Sequence, residues 1–335
     1  MHLQEFSYDL PEELIAQHPL KERDQARLMV VDRRKESITH DVFANAGKYL
    51  PSGSLIVFNN SKVIPARLLG KREKTEGRVE IFLLKRLTDG YSYEALIRPL
   101  RRLKLEEKII FNGGKIFARL KDAKNKIVRF NRKDIPRYLN QIGHVPLPPY
   151  IKRPDEPQDK EYYQTVYARR PGSVASPTAG LHFTRDLIRR LKSEGHRLTQ
   201  VTLHINYATF SPVKEADITK HKMHEEEYRV TKHAWKEVFK AKENGRKITA
   251  VGTTSCRVLE TAAAGKLAGT TNIFIYPGYS FQMTDILLTN FHLPLSTLLM
   301  LVYAFGGKEL MRRAYKEAIA RKYRFYSYGD AMLIV

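Results

Sequence analysis

Apolar and polar residues alternate along this chain in two styles, and the style changes twice. Near the start, β-branched apolar runs at 27–32 and 54–58 predict strands, after a short helix signal at 11–17 that Pro19 stops. From about Ile64 to His144 the pattern is short and β-rich: 66–71, 78–85, 91–97, 108–111, 115–120 and 126–130. Turn signals separate these segments, notably Asp89-Gly90 and Asn112-Gly113-Gly114. About six short strands with little helix predict a small antiparallel barrel.

Past the proline-rich connector 145–150, helices and strands take turns. Thr184 can cap a helix over 185–194 with Leu187, Ile188 and Leu191 on one face, and Gly195 can end it. Further helices are predicted at 232–244, 255–264, 295–305 and 308–322, with strands at 198–205, 248–251, 272–276 and 332–335. The expected fold is α/β: a layered α/β main domain (1–64 and 150–335) interrupted by an inserted small antiparallel β-barrel domain (65–149).

Composition sharpens this picture at three points. Lysine and arginine total 58 against 36 acidic residues, a net charge of +22 that favours a polyanionic partner such as nucleic acid. The single cysteine, Cys256, excludes an internal disulfide, a Cys-rich zinc site and a cluster-based radical enzyme. Glu5, Ser7 and Asp9 interrupt what would be a signal peptide, and the apolar stretch 293–305 is too short to cross a bilayer. A cytoplasmic protein with no membrane contact is expected.

The sharpest chemical signal is a strand at 248–251 running through Gly252-Thr253-Thr254-Ser255 into a helix that carries Arg257. Free backbone N–H groups, a helix dipole, hydroxyls and a guanidinium together suit an anion, although a well-capped helix needs the same residue types. Histidines gather in the second half: His182, His204, His221, His224 and His292. His221 and His224 would share a helix face, with Glu226 close by. A zinc site would need a third ligand that the spacing does not supply, so acid–base or hydrogen-bonding roles are preferred, with at least two of the five structural. Two loops deliver His182 and His292 just before helices, and Tyr276-Pro277-Gly278-Tyr279 places aromatics that suit a purine or a sulfonium. Asp285 is a further polar candidate or a helix-opening residue.

Several long stretches resemble one family. They are Asn59-Asn60-Ser61-Lys62-Val63-Ile64-Pro65-Ala66-Arg67-Leu68, residues 177–184, His221-Lys222-Met223-His224, residues 252–257 with Leu259-Glu260, residues 289–301, and the terminal Tyr323-Arg324-Phe325-Tyr326-Ser327-Tyr328-Gly329-Asp330-Ala331-Met332. In order from Phe6 to Val335, they resemble the S-adenosylmethionine:tRNA ribosyltransferase-isomerases. Asn60, Ser176, Leu295 and the run Ile205-Asn206-Tyr207-Ala208 depart from the family pattern, the last by losing glycines near Tyr207.

The resemblance implies a transferase of queuosine biosynthesis. Its reaction moves the ribosyl part of S-adenosylmethionine to 7-aminomethyl-7-deazaguanine at the tRNA wobble position and isomerises it to epoxyqueuosine, releasing adenine and methionine. It further implies a monomer, with S-adenosylmethionine as co-substrate and neither a metal nor a redox cofactor. The pool expected to supply catalytic groups is His182, His221, His224, Glu226 and His292. Substrate contacts are expected from Gly252, Thr253, Thr254, Ser255, Arg257, Tyr276 and Tyr279, and from Arg98, Arg101, Arg102 and Lys104 on the barrel. Two competing classes are a nonenzymatic RNA-binding module and a methyltransferase; the latter would leave S-adenosylhomocysteine rather than methionine and adenine.

Overall fold

The computed structural model describes residues 1–206, 213 and 215–335, so the backbone near Tyr207 lies outside the described residues. From the amino terminus come β1 (Arg27–Asp32), β2 (Ser37–Val42), β3 (Leu55–Asn59) and β4 (Ser61–Val63). Next are β5 (Arg67–Arg72), β6 (Arg78–Arg86), β7 (Ser92–Arg98), β8 (Lys108–Phe111), β9 (Ile116–Asp122) and β10 (Ile127–Phe130). Helix α1 (Ile135–Ile142), β11 (Gly143–His144), α2 (Asp159–Tyr162), β12 (Arg170–Ser173), α3 (Arg185–Ser193) and β13 (Arg197–Leu203) follow. The remainder is β14 (Glu226–Val230), α4 (Lys232–Glu243), β15 (Ile248–Val251), α5 (Gly252–Ala262), β16 (Ala268–Thr271), β17 (Ile286–Asn290), α6 (Thr297–Gly306), α7 (Lys308–Ala320) and β18 (Ala331–Ile334).

Over the described residues the main sheet has nine strands, in the order β16-β14-β13-β3-β15-β17-β18-β1-β2. Its centre, β13-β3-β15-β17, is parallel. Side chains on these strands alternate between two apolar layers. Leu55, Val57, Ala250 and Leu287 face a core shared with α4 to α7. Ile56, Phe58, Val251 and Leu288 face the opposite core, shared with α3 and Phe43. Burial on both faces explains why β3, β15 and β17 consist of buried residues throughout.

The six barrel strands close because β5 pairs with both β6 and β8. Inward residues such as Leu68, Ile81, Phe111, Leu120 and Val128 fill the interior, and α1 plugs it with Ile135, Leu139 and Ile142. The chain runs into and out of the barrel at one place. Gly143 on β11 sits so close to Pro65 that a Cβ would lie 2.0 Å from the Pro65 carbonyl oxygen, which only glycine allows. The antiparallel barrel inserted in an α/β domain is the architecture the patterning predicts.

Some elements differ from expectation. The helix expected at 11–17 is a single 3-10 turn, Glu12–Leu14. The strand expected at 272–276 is displaced to β16, which pairs antiparallel with β14. Beyond it Thr271 Oγ1 accepts the Ile273 N–H, and the chain turns away from the sheet. Helix α5 starts at Gly252, so the expected small-residue turn is its first turn. Strands β2, β14 and β17 lie outside the expected set: β14 is a charged sequence with alternate residues buried, and β17 lacks alternation because both its faces are covered. Asp285 opens no helix; it precedes β17, where its carboxylate accepts the Ile248 N–H at 3.0 Å and faces Lys247 Nζ at 3.3 Å.

A buried carboxylate ties the connector after the barrel to the carboxy-terminal segment. Asp159 accepts from both terminal nitrogens of Arg153 (2.7 and 2.8 Å), from the Glu156 N–H (2.8 Å) and from the Tyr328 hydroxyl (2.8 Å). Burial pushes its carboxyl up, but these donors outweigh that effect and hold it below the usual carboxylate range. Its stabilisation is therefore complete above the unfolded pKa of about 3.9 and is lost as pH falls through the lower folded value. Asp159→Ala is expected to cost about 3 kcal/mol, because Arg153 loses both short bonds and keeps only Glu156 at 3.7 Å as a counter-charge. Asp159→Asn should flatten the pH dependence of stability below about pH 4. Denaturant melts across pH 2–7 check both expectations.

Candidate active site

The parallel strands β13, β3, β15 and β17 end at one edge of the sheet, and a cavity of about 300 Å³ opens there. Crevices at the carboxyl ends of parallel strands are where α/β proteins bind ligands, because loops and helix N-termini converge there. The walls come from four segments: 175–179 after β12, 252–254 with Arg257 on α5, 289–296 with Leu298 from the end of β17 into α6, and Tyr326 with Ser327. Tyr150 and Ile205 complete them.

Helix α5 forms one end. Val251 precedes it and supplies no side-chain cap, so first-turn N–H groups stay available at a wall made by Gly252, Thr253 and Thr254. Gly252 has φ +86°, a conformation that lets the strand turn straight into the helix. One turn later Arg257 is 3% exposed. Its Nη1 pairs with Glu226, its Nε donates to the Ile273 carbonyl at 3.3 Å, and its Nη2 has no partner among the described residues. Glu226 is buried and also accepts the Asn206 N–H at 3.0 Å. The pair thus holds a guanidinium with one donor left over beside a helix N-terminus, an arrangement suited to a carboxylate or phosphate.

The other walls are apolar with isolated polar atoms. Tyr150 and Tyr326 stack at 4.5 Å, and the Tyr150 hydroxyl bonds Ser327 Oγ at 2.6 Å. Among the described residues, the buried atoms of this cavity's wall without partners are Ser176 Oγ, Arg257 Nη2, Asn290 Oδ1 and the Tyr326 hydroxyl. Unsatisfied buried polar atoms are rare, and each costs about 1–3 kcal/mol. Two non-glycine wall residues, Leu295 (φ +60°) and Tyr326 (φ +69°), also hold left-handed backbone, a strain that concentrates at functional sites.

The structure separates the expected site residues. Gly252, Thr253, Thr254, Arg257 and His292 line the cavity. Ser255 does not: its hydroxyl donates to the Val251 carbonyl at 2.7 Å, inside the helix. Glu226 acts on the cavity through Arg257. His182 is buried behind the wall against Phe43 and bonds Asn290 Nδ2 at 3.3 Å. His221 and His224 share no helix face, since the chain after the 3-10 turn Ile218–Lys220 is irregular. His221 faces Glu215 at 3.0 Å and Phe274, while His224 is exposed. Tyr276 packs on Phe274, and Tyr279 donates to Glu260, whose carboxylate also accepts the N–H groups of Gln282, Met283 and Thr284. Those tyrosines therefore brace a loop rather than line the cavity. Arg98, Arg101, Arg102 and Lys104 are exposed on the barrel.

Sequence reasoning missed Asn290, Tyr326, Ser176 and Tyr150. Asn290 and Tyr326 lie within stretches already singled out, but nothing in a linear pattern tells a lining residue from its neighbour. Cys256 is buried, and burial pushes its thiol far up, so it is inert.

A concave, mainly apolar cavity with a cationic end and a few orphaned polar atoms, at the carboxyl edge of a parallel sheet, has the form of a small-ligand site of an α/β enzyme. Residues 3–334 match the sequence profile of the family described as "Queuosine biosynthesis protein". A relative from Sulfurihydrogenibium sp. (strain YO3AOP1) is 52% identical, and one from Caldanaerobacter subterraneus subsp. tengcongensis is 50% identical, each match covering 100% of both chains. Both are named S-adenosylmethionine:tRNA ribosyltransferase-isomerase. The crystal structure of an S-adenosylmethionine tRNA ribosyltransferase from Thermotoga maritima is 38% identical, with a TM-score of 0.57 over 99% of this chain and 100% of that one. The chain belongs to the queuosine biosynthesis protein family and is an enzyme of the transferase class.

Burial sets the charge of two site histidines. Desolvation lowers His292 to about 3, and the Nε2 of that ring bonds Thr289 Oγ1 at 2.7 Å. It lowers His182 to about 4 against a smaller opposing effect of Asn290. Both rings are neutral at pH 7, whereas in the unfolded chain they take up protons below about pH 6.5. Stability from this source is therefore complete above pH 6.5 and declines as pH falls toward 4. Imidazole NMR signals of both residues should show no protonation between pH 8 and 5; titration of either near 6.5 would contradict this geometry.

Proposed function

We propose that the protein transfers and isomerises the ribosyl group of S-adenosylmethionine onto 7-aminomethyl-7-deazaguanine at the wobble position of tRNA, giving epoxyqueuosine, adenine and methionine. Family membership supplies the reaction class, and the observation that carries the site assignment is the cavity with Arg257 Nη2 unpartnered beside the first turn of α5. There the methionine carboxylate would bind, with the nucleoside running toward Tyr150 and Tyr326. The reading needs neither a metal nor a redox cofactor, and it takes the protein as a cytoplasmic monomer with tRNA as partner.

The sulfonium acidifies the ribose C5′–H, so a base can remove that proton. Adenine then departs with a proton supplied to it, the aminomethyl nitrogen attacks, and methionine leaves. Of the expected catalytic pool, His292 lines the cavity. Burial holds it neutral, the form that can accept a proton. His182, His221, His224 and Glu226 do not line the cavity: His182 bonds Asn290, His221 faces Glu215, His224 is exposed, and Glu226 is committed to Arg257.

The tRNA backbone would follow exposed cations on the barrel, Arg98, Arg101, Arg102 and Lys104. A separate groove between the barrel and β12, lined by Lys62, Lys85, Arg86 and Gly172, offers further cations.

Mass spectrometry of precursor-containing tRNA after incubation with S-adenosylmethionine should show epoxyqueuosine, with free adenine and methionine in equal amounts. S-adenosylhomocysteine instead would identify a methyltransferase, and binding without turnover an RNA-binding module. Arg257→Lys, which keeps the charge beside Glu226 but removes the second donor, should weaken S-adenosylmethionine binding about ten- to a hundredfold. His292→Asn should abolish turnover with binding near parental, and C5′-deuterated substrate should lose label or show a primary isotope effect. Affinity for tRNA should fall steeply with salt, and replacing Arg98, Arg101 and Arg102 by Gln should reduce the log–log slope by about 0.9 for each phosphate no longer neutralised.

A further inference from the structure

Among the four unpartnered buried atoms at the cavity, one is an obligate acceptor. A Tyr or Ser hydroxyl can donate or accept, and the Arg257 nitrogen can only donate. Asn290 is different because its surroundings settle its amide. Its Nδ2 donates to the Tyr326 backbone carbonyl at 2.9 Å, a partner that can only accept. Flipping the amide would set oxygen against oxygen, so the nitrogen stands where it is assigned. The second Nδ2 hydrogen meets His182 Nε2 at 3.3 Å, which must then be the unprotonated ring nitrogen. A neutral His182 carrying its proton on Nδ1 fits the burial of that ring, and the Arg23 backbone carbonyl also bonds the imidazole. What remains is Asn290 Oδ1: an obligate acceptor, on a residue 2% exposed, in the cavity wall, with no partner among the described residues.

Such an atom demands a ligand that brings an N–H or O–H to it. Asn290 adjoins Tyr326, which stacks with Tyr150 in the aromatic part of the wall. A flat base belongs against that pair, and adenine presents a donor, its exocyclic 6-amino group. On the reading of the cavity as the S-adenosylmethionine site, we propose that Asn290 selects the co-substrate by accepting a hydrogen bond from the adenine 6-amino group, and that His182 is a positioning residue that locks the Asn290 amide. His182 thus takes part in base recognition rather than proton transfer.

The test needs no variant at first. Calorimetric affinities of the parent protein are compared for S-adenosylmethionine and its 6-oxo analogue, S-inosylmethionine, which turns a lone pair toward Asn290, and for the analogue with hydrogen at C6. Both analogues are expected to bind about ten- to a hundredfold more weakly. In Asn290→Ala the preference should collapse toward unity, and in His182→Phe, where the amide loses one of the two contacts that hold it, it should shrink while the carboxylate-end effect of Arg257→Lys persists. Equal binding of all three compounds by the parent overturns the Asn290 assignment and leaves the site reading intact. Absence of S-adenosylmethionine binding overturns both. A preference that survives in Asn290→Ala shows that another group reads the base, and also overturns the assignment.

Discussion

The centre of the main sheet is covered by apolar layers on both faces, and this burial constrains everything else in the molecule. Strands β3, β15 and β17 cannot carry exposed polar side chains along their lengths, so polar chemistry is displaced to their ends. Because β13, β3, β15 and β17 are parallel, those ends fall at one edge. Ile205, Gly252 and Phe291, which follow β13, β15 and β17, therefore meet around one cavity. Its position follows from strand direction.

At that edge the protein keeps charges and dipoles out of water without a full set of partners. Arg257 is desolvated, and Glu226 compensates its charge while leaving one nitrogen idle. Asn290 uses both amide hydrogens to hold its orientation and leaves its oxygen idle. Leu295 and Tyr326 add backbone strain in the same wall. Each feature destabilises the unliganded fold by about 1–3 kcal/mol, and a ligand that completes the hydrogen bonds recovers that energy on binding. A site already desolvated and oriented also loses little on closing around its substrate.

The barrel contributes a second kind of surface. Its closure through β5 and β8 removes free edges, and the contact of Gly143 with Pro65 brings its incoming and outgoing strands together. The inserted module adds exposed cations beside the main domain without interrupting the sheet. The Asp159 network then fixes the returning connector to Tyr328, next to the segment that supplies Tyr326 and Ser327 to the cavity.

Local patterning by itself determined the barrel insertion, most helices and the strands with clear ends. Helices α3 and α4 carry Thr184 and Thr231 as caps, and β1, β8 and β15 are short apolar runs bounded by polar residues. It also singled out Gly252, Arg257 and His292, because small residues before a helix and histidines in loops are local signals. Tertiary structure decided which of the singled-out residues meet. His182, His221, His224, Tyr276 and Tyr279 were equally prominent in the sequence, yet His182, His221, Tyr276 and Tyr279 turn to Asn290, Glu215, Phe274 and Glu260, and His224 is exposed. Asn290 and Tyr326 are separated by 36 residues and are joined by one hydrogen bond across the fold. A sequence pattern records periodicity and capping, which act within a few residues; facing, protonation state and the sense of a hydrogen bond depend on neighbours that only folding brings together.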